Sequence, residues 1–469
     1  MNKTKAILLF LLGDLVFTAI AWSLFSLFRY ETVPLFNQAF PSVAQFFQHP
    51  RTLQVLLIVP FIWLAIYFFS GFYNKPLRKA QVDIFLNTFV STAIGSVIIF
   101  MIVLIDDDNI NNLAQYRLIF FLFIFTGACV IFIRLIIASY LKGLIASGKM
   151  QFKAIFVGTG KNDLHFYNQI KESRFGYDIK GYVNHSERRI KKEIPSNIIV
   201  DESQLKEFIE ENDIDEILIN GFNINESNLN EFYYFYQYYL PVKVQKGSLS
   251  PSFGKNYYQS KSRSELIDLY AVKTSEAEKN IKMFFETAFS LFFLLILSPL
   301  LLLIALLIKS DSRGPVIYTQ ERLGLNGKTF KAYKFRSMQD DAESGGPALS
   351  HPNDNRVTKL GKILRMYRLD ELPQFWNVVK GDMSIIGPRP EREYYIEKIA
   401  AYTPLIYLLQ LVRPGITSQA AVENGYTKNV REMIVRTEID IQYLQNASLY
   451  SDVKVLLQTI YVMLKGRGV

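Results

Sequence analysis

Histidine and cysteine are nearly missing from this chain, which holds four of the first and one of the second in 469 residues. A lone Cys129 excludes an intramolecular disulfide framework and a Cys-rich zinc site, and its apolar surroundings suit a small buried hydrophobe. Charge is sparse as well: 20% of residues are charged against 50% hydrophobic, and the mean hydropathy is +0.13. Soluble domains charge more of their surface than this. What charge there is leans basic, with a net +9 and a pI of about 9.2. That balance favours an anionic partner, whether nucleic acid, phosphorylated metabolite or anionic lipid, and the apolar content points to lipid.

Long apolar runs are what the chain has in abundance. Four of them, Ala6 to Phe28, Leu53 to Tyr73, Val82 to Ile105 and Leu118 to Leu141, reach the roughly 20 residues that cross a bilayer at about 1.5 Å rise each. The first is too long, and lacks a small-residue cleavage site, to be a cleaved signal peptide. Lys3 and Lys5, then Lys75, Arg78 and Lys79, then Lys142, Lys149 and Lys153 mark one side of this bundle. The opposite loops carry Arg29 and Arg51 at helix edges and the acidic run Asp106-Asp107-Asp108. The positive-inside rule therefore turns both ends of the bundle to the cytoplasm.

From Lys153 to about Lys246, short β-rich runs such as "AIFVG" and "DEILI" alternate with amphipathic stretches such as "ESQLKEFIEEN". That alternation predicts a parallel α/β sheet. The first strand runs into "VGTGKND", where a dinucleotide fingerprint through Gly158 and Gly160 meets Asp163 at its third glycine position. A carboxylate is unwelcome where a pyrophosphate approaches, so the expectation is a degenerate Rossmann-like module with a regulatory or assembly role. A linker follows around Gly247 to Ser264.

A fifth apolar run, Met283 to Ile308, has Ser298-Pro299 at its middle and basic residues on both flanks, Lys279 and Lys282 before, Lys309 and Arg313 after. Proline kinks a helix by removing a donor and crowding the turn before it. A kinked spanning helix is the plain structural account. If both flanks stay cytoplasmic, the run instead enters and turns back as a re-entrant wedge, with Ser298 or overlying protein satisfying the freed backbone groups.

Between Lys309 and Arg392, 15 basic residues face 10 acidic ones. Lys334, Arg336, Arg356, Arg365, Arg368, Arg389 and Arg392 are candidates for holding a polyanion, although a charge run of this kind also describes an ordinary solvated face. Within it lies "RLDELPQFWNVVKGDMSIIGPRP". Adjacent carboxylates do not face each other on a helix, so Asp370 and Glu371 are not a proton-sharing pair. With Pro373 behind them they suit a first helical turn. Alternatively, one of them is a nucleophile for phosphorus, its repulsion offset by cations or by Mg²⁺, since no His or Cys cluster offers a softer site.

"GPVIYTQERLGLNGKTFKAYKFRSM", "RVTKLGKILRMYRLDELPQFWNVVKGDMSIIGPRPE", "RPGIT" and "NASLYSDVKVLLQTIYVMLKGRG" together resemble the bacterial sugar transferase family, the monotopic phosphoglycosyl transferases, over about Lys279 to Gly468. The whole layout is similar to the family's large members, which start O-antigen, capsule or exopolysaccharide synthesis. The resemblance implies transfer of a sugar-1-phosphate from a UDP-sugar to polyprenyl (undecaprenyl) phosphate, with release of UMP through a covalent aspartyl phosphosugar. It makes Asp370 the nucleophile, Glu371 its partner in metal or proton handling, and Lys334, Arg336 and Arg389 phosphate or substrate holders. Ser298 and Pro299 become the break of the re-entrant helix. After "RPGIT" the chain reads "SQAAV", where many relatives have Gly, aromatics and Gln, so the identity of the sugar stays open.

The expected fold is thus a membrane protein of α plus α/β class. Four transmembrane helices occupy residues 1–145, a Rossmann-like domain 146–250, a linker 251–278, and a catalytic domain 279–469 with its re-entrant helix at 283–308. The expected setting is the bacterial inner membrane, with the catalytic domain on the cytoplasmic face, the lipid bilayer as a partner, no nucleic acid, and a homo-oligomer among the open arrangements. Two competing readings remain. A nucleotide-sugar dehydratase would need an intact glycine fingerprint and a Tyr-x-x-x-Lys pair. A membrane scaffold or transport component would not need Asp370-Glu371 and would carry more intramembrane charge than Asp14, Asp83 and Arg134.

Overall fold

The computed structural model describes residues 3–104, 112–158, 163–172, 176–185, 198–220, 224–225, 227–245, 266–270, 272–339, 342, 346, 349, 354–425, 427 and 429–465. The acidic run at 106–108, Gly160 of the glycine pattern and the linker at 247–264 lie outside them. The chain divides into two compact units, the first made of residues 1–151, 174–176 and 275–281 and the second of the remainder.

The first unit is helical. Four helices are long and apolar enough to cross a membrane, Thr4–Thr32, Pro50–Phe69, Gln81–Val103 and Gln115–Ala146. They coincide with the four anticipated runs, the second ending at Phe69 rather than Tyr73 and the third at Val103, and Leu12, Leu57, Phe61 and Phe120 stand exposed on their outer faces, as lipid-facing positions do. Inside the bundle, the fully buried Arg134 donates from Nε to Asp14 Oδ1 at 2.9 Å and from Nη1 to Thr88 Oγ1 at 2.8 Å. The guanidinium also lies over the rings of Tyr67 and Phe72. Two charges the sequence leaves unexplained are therefore one satisfied ion pair, the form in which buried charge is tolerated.

In the second unit, β1 (Phe152–Gly158), β2 (Tyr177–Asn184), β3 (Glu216–Asn220), β4 (Val242–Gln245) and β5 (Leu266–Asp268) form one sheet in the order β2-β1-β3-β4-β5. The first four are mutually parallel and β5 is antiparallel to β4. Every residue of β3 is buried, which is why Ile217, Leu218 and Ile219 run apolar without alternation: a central parallel strand is covered on both faces. Asp163, just past β1, is buried and accepts from Tyr182 Oη at 2.9 Å and Asn220 Nδ2 at 2.7 Å. The carboxylate that spoils the dinucleotide pattern is thus held by the chain's own side chains at the strand ends.

This sheet shares a core with the C-terminal region: Ile217 and Val244 belong to the same buried cluster as Ile396, Leu408 and Val455. Tyr234 meets Tyr407 edge-on, and Tyr239 packs directly on Gly327.

Two helices, Glu276–Ile296 and Ser298–Asp311, meet at a 63° bend. Pro299 has no N–H for the carbonyl of Leu295, four residues back, and Ser298 Oγ takes that carbonyl instead at 2.8 Å. Beyond the bend come the strands β6 (Ile317–Leu323) and β7 (Thr329–Phe335), the helices Lys359–Met366 and Gln374–Lys380, the short parallel pair β8 (Ser384–Ile386) and β9 (Gly415–Thr417), and the helices Val430–Gln445 and Leu449–Leu464.

Candidate active site

The site is built on the β6–β7 ribbon. Leu325-Asn326-Gly327 closes it, with Asn326 at φ 53° and Gly327 at φ +67°, the left-handed conformations that asparagine and glycine tolerate. The register sets Tyr318 opposite Lys334, Gln320 opposite Ala332 and Arg322 opposite Phe330. Strand residues two apart share a face. Tyr318, Gln320, Arg322 and Lys334 therefore stand on one side of the ribbon, and all four line a cavity of about 240 Å³.

The carboxylates enter from a broken helix. The helix beginning at Lys359 is capped by Thr358, whose side chain accepts from Gly361 N, and it stops at Met366. Arg368 adopts φ 54°, and a single tight turn, Leu369–Glu371, leads to Pro373 at the N-cap of the next helix. "KLGKILRMYRLDEL", apolar at helical spacing throughout, is thus interrupted at the residue before the Leu-Asp-Glu turn. The interruption buries both Asp370 and Glu371, each 3% exposed.

The two acids have different surroundings. Glu371 Oε1 accepts from Lys334 Nζ at 2.9 Å and from both terminal nitrogens of Arg389 at 3.3 Å, while Arg368 Nη1 lies 3.9 Å from Oε2. Burial pushes the Glu371 carboxyl up, but Lys334, Arg389 and Arg368 outweigh it and hold the group far below the usual carboxylate range. Asp370 lines the cavity, and its Oδ1 is buried with no hydrogen-bond partner among the described residues. Burial, then the neighbouring Glu371 charge, push its carboxyl above the ordinary value against the pull of Lys334, Arg365 and Arg389. One carboxylate is held by cations; the other keeps an oxygen without a partner among the described residues.

Lys334, Arg336, Arg365 and Arg389 line the cavity with Asp370. Arg336 is held by Ser312, donating from Nη2 to its carbonyl at 2.7 Å and its hydroxyl at 2.9 Å, while Nε and Nη1 have no partner among the described residues. Glu371 and Arg368 stand outside the lining. Arg356 is not among the lining residues but stands behind them, donating to Asp354 and to the carbonyls of Ala342 and Leu349, both of which line the cavity. Ser298 and Pro299 sit at the helix bend.

Arg322, Glu391, Arg392 and Arg436 also line the cavity, and sequence reasoning gave the first, second and last of them no role. Arg322 was within reach of a register argument through the Asn-Gly turn. Arg436 comes from a helix far along the chain and had no local signal. Buried Asp440, on the same helix, accepts from Ala420 N at 3.1 Å and from the Ser418 hydroxyl and the Arg389 backbone. Burial pushes its carboxyl up to about 6. It ties the "SQAAV" segment to the Arg389 loop, and none of residues 418–422 lines the cavity. No group of three or more His, Cys, Asp or Glu among the described residues forms a ready metal cage.

Residues 277–466 match the family model described as bacterial sugar transferase. The chain is 43% identical over 171 residues to a UDP-N-acetylgalactosamine-undecaprenyl-phosphate N-acetylgalactosaminephosphotransferase of Aeromonas hydrophila, covering 36% of this chain and 40% of that protein. It is 37% identical over 198 residues to a UDP-glucose:undecaprenyl-phosphate glucose-1-phosphate transferase of Escherichia coli K12, covering 42% and 43%. With the exopolysaccharide production protein PSS of Rhizobium leguminosarum it shares 38% identity over 199 residues, which is 40% of this chain and 98% of that relative. The match therefore spans less than half the length of the first two relatives and nearly all of the third.

Proposed function

Because the chain belongs to the bacterial sugar transferase family, we propose that it transfers a sugar-1-phosphate from a UDP-sugar to polyprenyl phosphate, of the undecaprenyl type, and releases UMP. The observation that carries this reading is the contrast within Asp370-Glu371: a residue that lines a cation-rich cavity and keeps a buried oxygen without a partner among the described residues, beside a carboxylate fixed by three cations. A carboxylate oxygen of Asp370 attacks the β-phosphorus. The bond from that phosphorus to the α-phosphate oxygen breaks, and UMP leaves with the electron pair. An oxygen of the lipid phosphate then attacks the same phosphorus, and the Asp370 carboxylate is released unchanged. Lys334, Arg336, Arg365 and Arg389 offset the negative charge that would otherwise keep a carboxylate from a phosphate. Glu371 acts through Lys334 and Arg389, holding them where the pyrophosphate arrives.

The site also fits Mg²⁺. A hard dication beside phosphates takes one or two carboxylates and fills its shell with substrate oxygens and water, and Asp370 Oδ1 is a buried oxygen awaiting a partner. Asp370 would hold the ion more readily than Glu371, whose oxygens face cations. Bound there, it would neutralise charge on the pyrophosphate.

The lipid substrate sets where this chemistry must happen. The 63° bend, the Ser298 bond to Leu295 and the basic flanks support a re-entrant wedge, and the loop charges support a catalytic domain on the cytoplasmic face of the inner membrane. The strand order supports a Rossmann-like middle domain with an assembly or regulatory role. The product fits the first membrane step of O-antigen, capsule or exopolysaccharide synthesis. Purified protein given polyprenyl phosphate and a panel of UDP-sugars should release UMP with ping-pong kinetics. Asp370→Asn should abolish that release, and wild-type turnover in this variant would remove the nucleophile assignment.

A further inference from the structure

From the bonds along the outer edge of the β6–β7 ribbon we infer that Asn377 is a positioning residue for the transfer reaction: its carboxamide stands in for a third strand beside β7 and sets Lys334 against Glu371. This rests on the transferase reading above. β7 pairs with β6 in a sheet of two strands, with no other strand beside it among the described residues. Arg336 N donates to the Val316 carbonyl at 2.9 Å, and bonded and non-bonded positions alternate along an antiparallel ladder. The register runs unbroken along the ribbon, so Lys331 and Tyr333 turn their backbone groups away from β6. Backbone groups shielded from water need a partner there.

Asn377 supplies it. Its side chain is fully buried on the helix Gln374–Lys380. Nδ2 donates to the Lys331 carbonyl at 2.8 Å, and Oδ1 accepts from Tyr333 N at 3.0 Å. One donor and one acceptor side by side are what a peptide group of a neighbouring strand would offer, and a carboxamide carries both. The carboxamide is also held from behind. Gly381, at φ 82°, ends the helix and turns the chain back. Asp382 N then donates to the Asn377 carbonyl at 2.9 Å, and Asn377 Nδ2 reaches Asp382 Oδ2 at 3.4 Å.

The place of these bonds gives them a consequence for the reaction. Lys334 follows Tyr333 on the strand, and its partner Glu371 lies on the turn that leads into the helix of Asn377. Ribbon and acidic pair are therefore joined twice, by Lys334 and Glu371 inside the site and by Asn377 outside the cavity lining. A lysine on a flexible stem follows whatever backbone carries it. Without the clamp the ribbon can shift against the helix, and a misplacement of about 1 Å costs on the order of 100-fold in rate.

The test uses the full chain in detergent. A UDP-sugar given without polyprenyl phosphate should produce a burst of UMP whose amplitude counts competent sites, because the phosphosugar stays on Asp370. In Asn377→Ala the amplitude should hold while the burst rate falls about 10- to 100-fold. A wild-type rate at any amplitude overturns the assignment, since a purely structural loss removes sites without slowing those that remain. Should Asn377→Ala fail to fold, Asn377→Asp keeps the shape and the acceptor but loses the donor to Lys331, and it should slow the burst too; a wild-type rate there is equally fatal. Hydrogen exchange reads the bond itself. In the wild type the Tyr333 amide should exchange as slowly as the amides bonded within the ribbon, and in Asn377→Ala it should quicken while those keep their rates. A fast wild-type Tyr333 amide overturns the proposal without any variant. Failure of the transferase reading looks different: no UDP-sugar gives a burst, while the Tyr333 amide still reports its bond.

Discussion

At the scale of single residues, the pair Asp370-Glu371 was conspicuous in the sequence, but its division of labour was not. Both acids sit in one Leu-Asp-Glu turn, and only tertiary contacts separate them, because Lys334 and Arg389 arrive from elsewhere in the chain. Glu371 ionises first, and its charge helps to raise Asp370. In the proposed reaction Asp370 attacks as a carboxylate, so activity should fall as pH drops through its pKa. In Glu371→Gln that neighbouring negative charge is gone, and Lys334 and Arg389 are released to act on Asp370. Its pKa then falls. The acid limb of the pH–rate profile should move to lower pH. kcat should drop as well, because the two cations lose their anchor. A profile whose acid limb stays in place would dissociate Asp370 from Glu371. Arg356 shows what a basic residue's sequence position leaves open: it is paired with Asp354, two positions away, and bonds the carbonyls of Ala342 and Leu349, which line the cavity.

At the scale of elements, apolar length alone located the four long helices, since about 20 apolar residues in a row have few other uses. The break at Met366 to Arg368 was illegible, because apolar residues continue at helical spacing straight through it and only the left-handed Arg368 reveals it. The Ser298-Pro299 bend was legible, and its physical basis is the carbonyl of Leu295. Pro299→Ala restores an N–H that can claim that carbonyl, in competition with Ser298 Oγ, and removes the clash that forces the bend. A straight, continuous helix carries its two basic flanks to opposite faces of the bilayer. We therefore expect Pro299→Ala to expose a C-terminal tag on the outside of intact cells in part of the population, and to lower transfer to the lipid in proportion. A tag that stays wholly internal, with full activity, would show that the bend does not depend on the proline.

At the scale of the whole second unit, the sheet of β1 to β5 and the transferase region are joined by one apolar core rather than by a linker alone. The sequence hid this, because the joining pieces lie far apart: the aromatic run around Tyr234 to Tyr239 meets Tyr407 and the Gly327 turn. That turn closes the ribbon carrying Arg322 and Lys334, so the sheet bears directly on the catalytic frame. The Rhizobium relative is matched over 98% of its length by 40% of this chain, so the rest of this chain lies outside that match. In this chain, however, a shared core implies shared unfolding. Ile217 lies fully buried on β3, remote in sequence from the catalytic residues. Ile217→Ala should cost about 2–5 kcal/mol, the usual range for emptying such a site. If the core is cooperative, that loss appears undiminished in the slowest-exchanging amides of β8 and β9, because they open only when the whole unit does. If the two halves unfold separately, exchange in β1 and β3 accelerates while β8 and β9 keep their wild-type rates. Native-state hydrogen exchange on the full chain in detergent separates the two outcomes. Cooperative loss would make the sheet a structural partner of the active site, through which anything that binds or assembles on it could change turnover.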